Sequence, residues 1–349
     1  MSDPADLGSS AASEERNASG AGCPPPQLSE WHAAVLPAYI LLIAALGVAL
    51  NVFVMAVLLL HKKACTVAEI YLSNMAAADF LLTACLPFWA AYAANGFDWT
   101  LPAPLCSLVT LCIKMNADCS IYFLVLISID RYVALVHPLS RSWIRRPAAA
   151  RGGCVLVWGV GVALSAPTLL YRDVVYVPYS DTHKCFPDYP SAAALHLSEG
   201  TQVTFGFVVP VLIISVCTFR ILRALRRRLD VSSRRAEHRA TRLVLAVLVA
   251  FAACWLPFHA VKVLYLLVYA DVLTGCSLRS ALHTCSNIFM YLAFFNSVLN
   301  PILYVIVGNN FRKKVCELFR RPSGGRAALG TTFTCSNASR SFRTTGASR

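Results

Sequence analysis

The chain has 349 residues, 57% of them hydrophobic and only 14% charged, where a soluble domain carries about a quarter charged residues. That imbalance excludes the pair of soluble domains that length alone would suggest. The formal net charge of +13 does not indicate nucleic acid, because only Arg16, Lys114, Arg172, Lys184, Lys262 and Arg279 of the 31 Lys and Arg fall outside, or in the outer half of, a membrane pattern.

Residues 1–31 are polar and lack the basic start and short apolar core of a cleaved signal peptide, so they read as an extracellular tail. Asn17, in Asn17-Ala18-Ser19, is a glycosylation acceptor on that side. Seven apolar blocks follow, at roughly 32–60, 68–95, 103–136, 149–171, 196–226, 238–270 and 280–307. Lipid offers the backbone no water to bond, so each block must be a helix. Residues 32–307 are therefore expected to form a seven-transmembrane helix bundle, an all-α membrane protein with its N-terminus outside. Pro87, Pro167, Pro210, Pro257 and Pro301 lie inside five blocks and are expected to kink them. In residues 308–321, Phe311, Val315, Leu318 and Phe319 share one face, which predicts a short amphipathic helix on the inner membrane surface. Residues 322–349 are Ser-, Thr- and Gly-rich and read as a disordered cytoplasmic tail. Ser336, Ser339, Ser341, Thr344, Thr345 and Ser348 are phosphorylation candidates there, as substrates whose added charge a basic partner surface can read.

Intramembrane charges are costly and tend to be functional. Asp130, Arg131 and Tyr132 close the third block at its inner end, and Glu237 opens the sixth at the same level. An Arg131 pair with Asp130 and Glu237 would hold the inner ends together; a solvated Glu237 is the alternative. Asp79 sits in mid-membrane, with Asn116, Ser120, Asn296, Ser297 and Asn300 offering hard oxygens on other helices. That set suits a sodium ion as modulator, the alternative being a protonated, hydrogen-bonded acid. Asn300, Pro301 and Tyr304 combine a proline break with an amide and a phenol, a candidate moving part. Phe251 and Trp255 are an aromatic pair beside Pro257, read either as a swing coupled to ligand or as packing alone.

Of the 14 cysteines none sits in a C-x-x-C pair with histidines, so no structural metal is expected. Cys85, Cys112, Cys119, Cys154, Cys217, Cys254 and Cys285 fall within helices as thiols. Cys23, Cys106, Cys185 and Cys276 lie on the oxidising outer side, where three pairings remain open. Cys316 is either a palmitoylation site or a free thiol. No His or acid cluster at metal-ligand spacing suggests an enzyme, and no inverted repeat suggests a transporter.

Taken together, Asn51, Asp79, Asp130-Arg131-Tyr132, Trp158, Pro210, Cys254-Trp255-Leu256-Pro257 and Asn300-Pro301-Ile302-Leu303-Tyr304 resemble the rhodopsin-like (class A) G-protein-coupled receptors over nearly the whole chain. The resemblance implies ligand binding outside, opening of the sixth helix inside, and partners comprising a heterotrimeric G protein, arrestin and receptor kinases. It also implies a Cys106–Cys185 disulfide. Thr218 departs from the pattern where a tyrosine is common, which puts that contact of the active state in doubt. Cys65-Thr66-Val67-Ala68-Glu69-Ile70-Tyr71-Leu72, Leu86-Pro87-Phe88-Trp89-Ala90, Phe97-Asp98-Trp99 and Tyr304-Val305-Ile306-Val307-Gly308 look more narrowly like the bradykinin (kinin) receptors. Ile113 stands where amine receptors carry an aspartate. The resemblance puts Trp89, Ile113, Lys262, Tyr265 and His283 at the ligand. Tyr265 and His283 replace the acids that hold a basic peptide in that subfamily, which leaves Asp98, Asp188, Glu199 and Asp271 to hold a cationic group, or the ligand is different, an unrelated or chemokine-like peptide.

Overall fold

Thr66 begins the second membrane helix with a reciprocal cap. Its hydroxyl accepts from the Glu69 amide at 3.4 Å while the Glu69 carboxylate accepts from the Thr66 amide at 2.7 Å, which satisfies two donors that a helix start leaves orphaned. The computed structural model describes residues 30–61, 65–137, 146–178, 180–227, 231–270 and 272–319. Among these, seven helices are long and apolar enough to cross a bilayer. They are α1 (Glu30–Leu60), α2 (Val67–Ala94), α3 (Ala103–Val136), α4 (Pro147–Ser165), a segmented α5, α6 (Val231–Tyr269) and α7 (Cys276–Val307). Helix α5 joins Ala192–Val203 to Val209–Arg227 through a π-helical turn, Thr204–Val208. A short α8 (Asn309–Phe319) follows α7, close to the expected 308–321.

The expected all-α bundle is observed, and one small sheet lies outside its membrane-spanning helices. After α4 and a helical turn at Pro167–Tyr171, an antiparallel hairpin of β1 (Arg172–Val177) and β2 (Thr182–Pro187) forms, with Val174 opposite Cys185. This stretch lies beyond the apolar block, where strands can pair in water and the β-branched Val174, Val175 and Val177 favour extended backbone. The Cys106–Cys185 disulfide, with an S–S length of 1.99 Å, ties β2 to the outer end of α3.

Hydropathy also misplaces helix ends. Helix α6 starts at Val231 and α7 at Cys276, earlier than 238 and 280, because hydrophobicity marks the lipid core and not where helical bonding stops. Helix α5 starts at Ala192, capped by the Ser191 hydroxyl, which accepts from the Ala194 amide at 3.2 Å. Pro87, Pro257 and Pro301 lie inside continuous helices, as does Pro37, which sequence reasoning passed over. Only Pro167 coincides with a break, and Pro210 follows the π turn.

Two apolar layers stack through the bundle. The inner one contains Met75, Phe123, Leu124, Phe251, Trp255 and Tyr304, and the outer one Leu86, Trp89, Tyr92, Trp99, Tyr291 and Phe294. Leu59, Val155 and Leu170 stay more than 70% exposed, as lipid-facing side chains should. Helix α8 is held inside by Phe311, whose ring meets Phe53 at 6.3 Å and Tyr304 at 6.4 Å. Lys314 adds an ion pair to Glu69 at 3.1 Å, so one carboxylate both caps α2 and seats α8. Residues 1–29 and 320–349, with Asn17, Cys23 and the tail phosphorylation candidates, lie outside the described residues.

Helices α1 and α2 meet at Gly47, where a Cβ would lie 2.2 Å from Thr83 Cγ2. The close approach requires glycine. Gly47→Val is expected to destabilise the bundle by about 1–3 kcal/mol through overpacking, read as a lower melting temperature of the purified full-length protein; an unchanged melt would contradict the tight α1–α2 contact.

Candidate functional site

Three polar layers run along the axis of the bundle. At the inner end, Asp130 is buried and its Oδ2 accepts from Arg131 Nε at 2.9 Å and more closely from Nη2. The side chain of Arg131 retains 25% exposure, so the guanidinium is oriented by its neighbour yet reachable from the inner face. Tyr132 turns aside, its hydroxyl 3.1 Å from His137 Nε2 and its ring against Leu135 and Ile221. Glu237 belongs to α6, but its side chain lies outside the described residues.

The middle layer centres on Asp79, which is fully buried. Asn116 Nδ2 of α3 donates to its Oδ1 at 2.8 Å, Ser297 Oγ of α7 to the same oxygen at 2.9 Å, and Asn300 Nδ2 of α7 to Oδ2 at 2.9 Å. Three donors from two other helices thus hold a carboxylate of α2 in a place with no bulk water. Asn51 of α1 joins them by donating to the Ser297 carbonyl at 2.9 Å. The structure brings Asp79, Asn116 and Asn300 together as expected. Ser120 and Asn296 are buried nearby, and their side-chain polar atoms have no hydrogen-bond partner. Next to Asn300, Pro301 carries α7 onward to Tyr304, whose buried hydroxyl is likewise unpartnered.

Between the middle and outer layers, aromatic rings on α6 form a column. Phe251 stacks on Trp255 at 6.0 Å, and Trp255 meets His259 at 6.2 Å. His259 in turn stacks on Phe207 of α5 at 4.1 Å. The Phe251–Trp255 pair is as expected; the histidine that extends it to α5 is visible only once α6 is placed.

The outer layer centres on Glu199. Glu199 was a candidate for holding a ligand's cationic group, but its carboxylate is already engaged by Lys114 of α3 at 3.5 Å and, more closely, by Lys262 of α6. The Tyr189 hydroxyl donates a further bond at 2.8 Å. Two ammonium groups on one carboxylate leave the cluster net positive. Arg172 is also nearby and half-buried, with Nη2 donating to the Cys185 carbonyl at 3.1 Å and Nε unpartnered. Lys262 additionally lies 5.6 Å from the Phe258 ring centre. Burial and the Glu199 carboxylate together push the Tyr189 phenol well above its ordinary range, so this loop residue acts as a neutral donor.

Trp89 is buried edge-on to Tyr92 at 5.4 Å, and Ile113 packs in the same outer cluster. Tyr265 stacks on Tyr269 at 6.3 Å, while His283 and Asp188 are exposed at the outer rim. Asp98 is used within the loops, its Oδ1 accepting from the His183 amide at 2.7 Å. Asp271 lies outside the described residues. Cys276 and Cys316 are each disulfide-bonded.

Lys114, Arg172 and Tyr189 went unassigned to the site in the sequence, and so did Asp118. That acid is fully buried on α3, where it accepts from Ser165 Oγ of α4 at 3.2 Å and Gln202 Nε2 of α5 at 2.7 Å. The signal for it was available: an acid inside an apolar block is as unusual as Asp79.

The chain matches the family model 7 transmembrane receptor (rhodopsin family) over residues 50–304. It is 40% identical over 304 residues to the B2 bradykinin receptor of Oryctolagus cuniculus, covering 86% of this chain and 83% of that one. Similarity to the Homo sapiens receptors is comparable. The B2 bradykinin receptor is 38% identical over 304 residues, covering 85% of this chain and 77% of the relative, and the B1 bradykinin receptor 38% over 292 residues, covering 82% of each.

Because Glu199 is the shared counter-charge of two lysines, Glu199→Gln leaves both uncompensated. It is expected to destabilise the fold by about 3 kcal/mol, measured as the melting temperature of the purified protein. A neutral effect would mean that the cluster does not hold α3, α5 and α6 together.

Proposed function

This chain belongs to the rhodopsin family of seven-transmembrane receptors, and from that membership we propose that it is a plasma-membrane receptor for an extracellular, kinin-like peptide that activates a heterotrimeric G protein. The observation that carries the ligand class is the outer cluster. Lys114 and Lys262 pair with the single carboxylate of Glu199, and half-buried Arg172 adds a further positive charge nearby, so this end of the bundle disfavours a guanidinium at its depth and welcomes a carboxylate. A peptide ending in an apolar residue with a free C-terminus satisfies that field. A terminal arginine would bring a third cation against the lysines.

Within the membrane, a ligand displacing Lys262 from Glu199 acts on the same helix that carries His259, Trp255 and Phe251. A turn-by-turn path of contacts then reaches the inner half of α6. Outward movement of that half would expose Arg131, held at rest by Asp130 and, in this reading, by Glu237. Freed Arg131 would meet the inserted segment of the G protein. The Ser- and Thr-rich tail supplies substrates for receptor kinases and, once phosphorylated, charge for arrestin. Lipid is the surrounding partner.

We further read Asp79 as the seat of a modulating sodium ion. Asn116 Oδ1, Asn300 Oδ1 and Ser120 Oγ are buried oxygens without partners around it, and hard oxygens about one carboxylate fit a small cation. Bound there, sodium would offset the Asp79 charge and favour the resting packing of α2, α3 and α7.

Two measurements test these readings. In a calcium and cAMP screen of cells displaying the receptor, kinin peptides lacking the terminal arginine are expected to be roughly tenfold or more as potent as those retaining it, a difference of about 1.4 kcal/mol. Silence to all kinins, with a response to another peptide, would instead favour the unrelated-peptide reading that Tyr265 and His283 suggest. For the ion, Asp79→Asn is expected to abolish the dependence of agonist affinity on sodium; a sodium effect undiminished in the variant rules the assignment out.

A further inference from the structure

Helices α3 and α5 both run inward from the outer face, and polar bonds join them at intervals of one turn. Lys114 pairs with Glu199 at 3.5 Å, Gln202 Nε2 donates to Asp118 Oδ1 at 2.7 Å, and the Tyr122 hydroxyl donates to the Phe205 carbonyl at 2.8 Å. Steps of four residues on α3 and three on α5 keep each set on one helix face, so the three bonds form a ladder. Its third rung follows from the sequence. In π register the Phe205 carbonyl would accept from residue 210, which is a proline without an N–H.

The middle rung decides where the outer part of α5 stands. Of the 12 residues of Ala192–Val203, the buried ones are Gln202 and Val203, both at the inner end. Apolar packing therefore gives this segment little purchase, and directional bonds must set its height and rotation. Asp118 is fully buried, and Ser165 Oγ of α4 holds its second oxygen at 3.2 Å, which fixes the acceptor independently of α5. Gly206 lets the backbone of the π turn come close: a Cβ there would lie 2.7 Å from Asp118 Oδ1 and 2.9 Å from Gln202 Nε2. Glu199 lies one turn outward from Gln202 on the same helix, about 4.5 Å at the helical rise, and its carboxylate is the one that Lys114 and Lys262 share.

We propose that Asp118 is a positioning residue of the ligand site: through Gln202 it sets where α5 places Glu199 between Lys114 and Lys262, and so how much positive charge the site offers a ligand's carboxylate. Asp118 acts through α5 and not by touching the peptide. With the rung intact, Glu199 compensates one of the two lysine charges. With it broken, the outer segment is free to turn at the π-helical residues, and Glu199 to leave both ammonium groups. The proposal deepens the receptor reading and rests on it for the ligand, but the placement of Glu199 is measured with no ligand present.

The test acetylates the full-length protein in lipid nanodiscs with acetic anhydride and follows each lysine by mass spectrometry. Gln202→Met removes the donor and leaves Asp118 its charge and its bond to Ser165; Asp118→Leu removes the acceptor. Both are expected to raise the acetylation rate of Lys262 roughly fivefold, the factor that a partly exposed ion pair is worth. The rate should approach that in E199Q, with Lys184 of β2 as the unchanged reference. Where D118L does not fold, Q202M decides. A wild-type Lys262 rate in folded Q202M overturns the proposal. So does a rise of the same size when Q202M is added to E199Q, where no Glu199 carboxylate is left to displace. On the ligand side, the affinity ratio of a peptide with a free C-terminal carboxylate to its C-terminal amide is expected to widen by a similar factor in Q202M. A ratio that stays put while Lys262 is freed rejects the peptide-carboxylate reading and not the placement of Glu199.

Discussion

A carboxylate with no access to water is the constraint around which this bundle is arranged. Lipid cannot solvate Asp79, so the protein must, and it does so with Asn116, Ser297 and Asn300. Each donor comes from a helix other than that of the acid, and the cost of leaving any bond unmade in a low-dielectric interior is large. The same few ångströms therefore specify how α2, α3 and α7 stand relative to one another, and Asn51 extends the constraint to α1. The apolar layers on either side of it supply cohesion, but interchangeable aliphatic side chains do not dictate register as directional bonds do.

The two ends of the molecule handle charge in opposite ways. Inside, Arg131 is held by the acid next to it in sequence and stays partly exposed, an arrangement suited to release without repacking the core. Outside, Glu199 draws Lys114 and Lys262 from two separate helices, so any ligand group that competes for either lysine is coupled to helix position. Between them lies a column of rings on α6 that reaches α5 through Phe207 and His259.

Much of this was legible in the sequence because membrane physics is restrictive. Uninterrupted apolar blocks admit one backbone solution, so the number and order of helices followed, and the lone Asp79 among apolar neighbours pointed to its amide partners. What could not be read had a different origin. The β1–β2 hairpin lies outside the lipid core, where hydropathy carries no information about strand or helix. The starts of α6 and α7 extend past their apolar stretches for the same reason. Lys114, Glu199 and Lys262 are far apart along the chain, and only the packing of α3, α5 and α6 shows that one acid is shared by two bases. Read singly, Glu199 looked free to greet a cation. Asp118 was overlooked although it carried the same signal as Asp79, since its partners Ser165 and Gln202 belong to no motif.

The π-helical turn at Thr204–Val208 sits beside that second acid, where Gly206 lets the backbone approach and a Cβ would come within 2.7 Å of Asp118 Oδ1. A turn of this kind accommodates one residue more than an α-helix does. The segments before and after it are thereby set out of angular phase by about 100°, the rotation of one helical residue. The outer part of α5 presents Glu199 and Gln202 to the interior, while the inner part presents Ile214 and Ile221 to the cores they join. Were one residue of the turn deleted, both parts could remain regular helix and yet no longer face their partners together. The length of this five-residue segment thus acts as the angular key of the helix, and its composition matters less than its count.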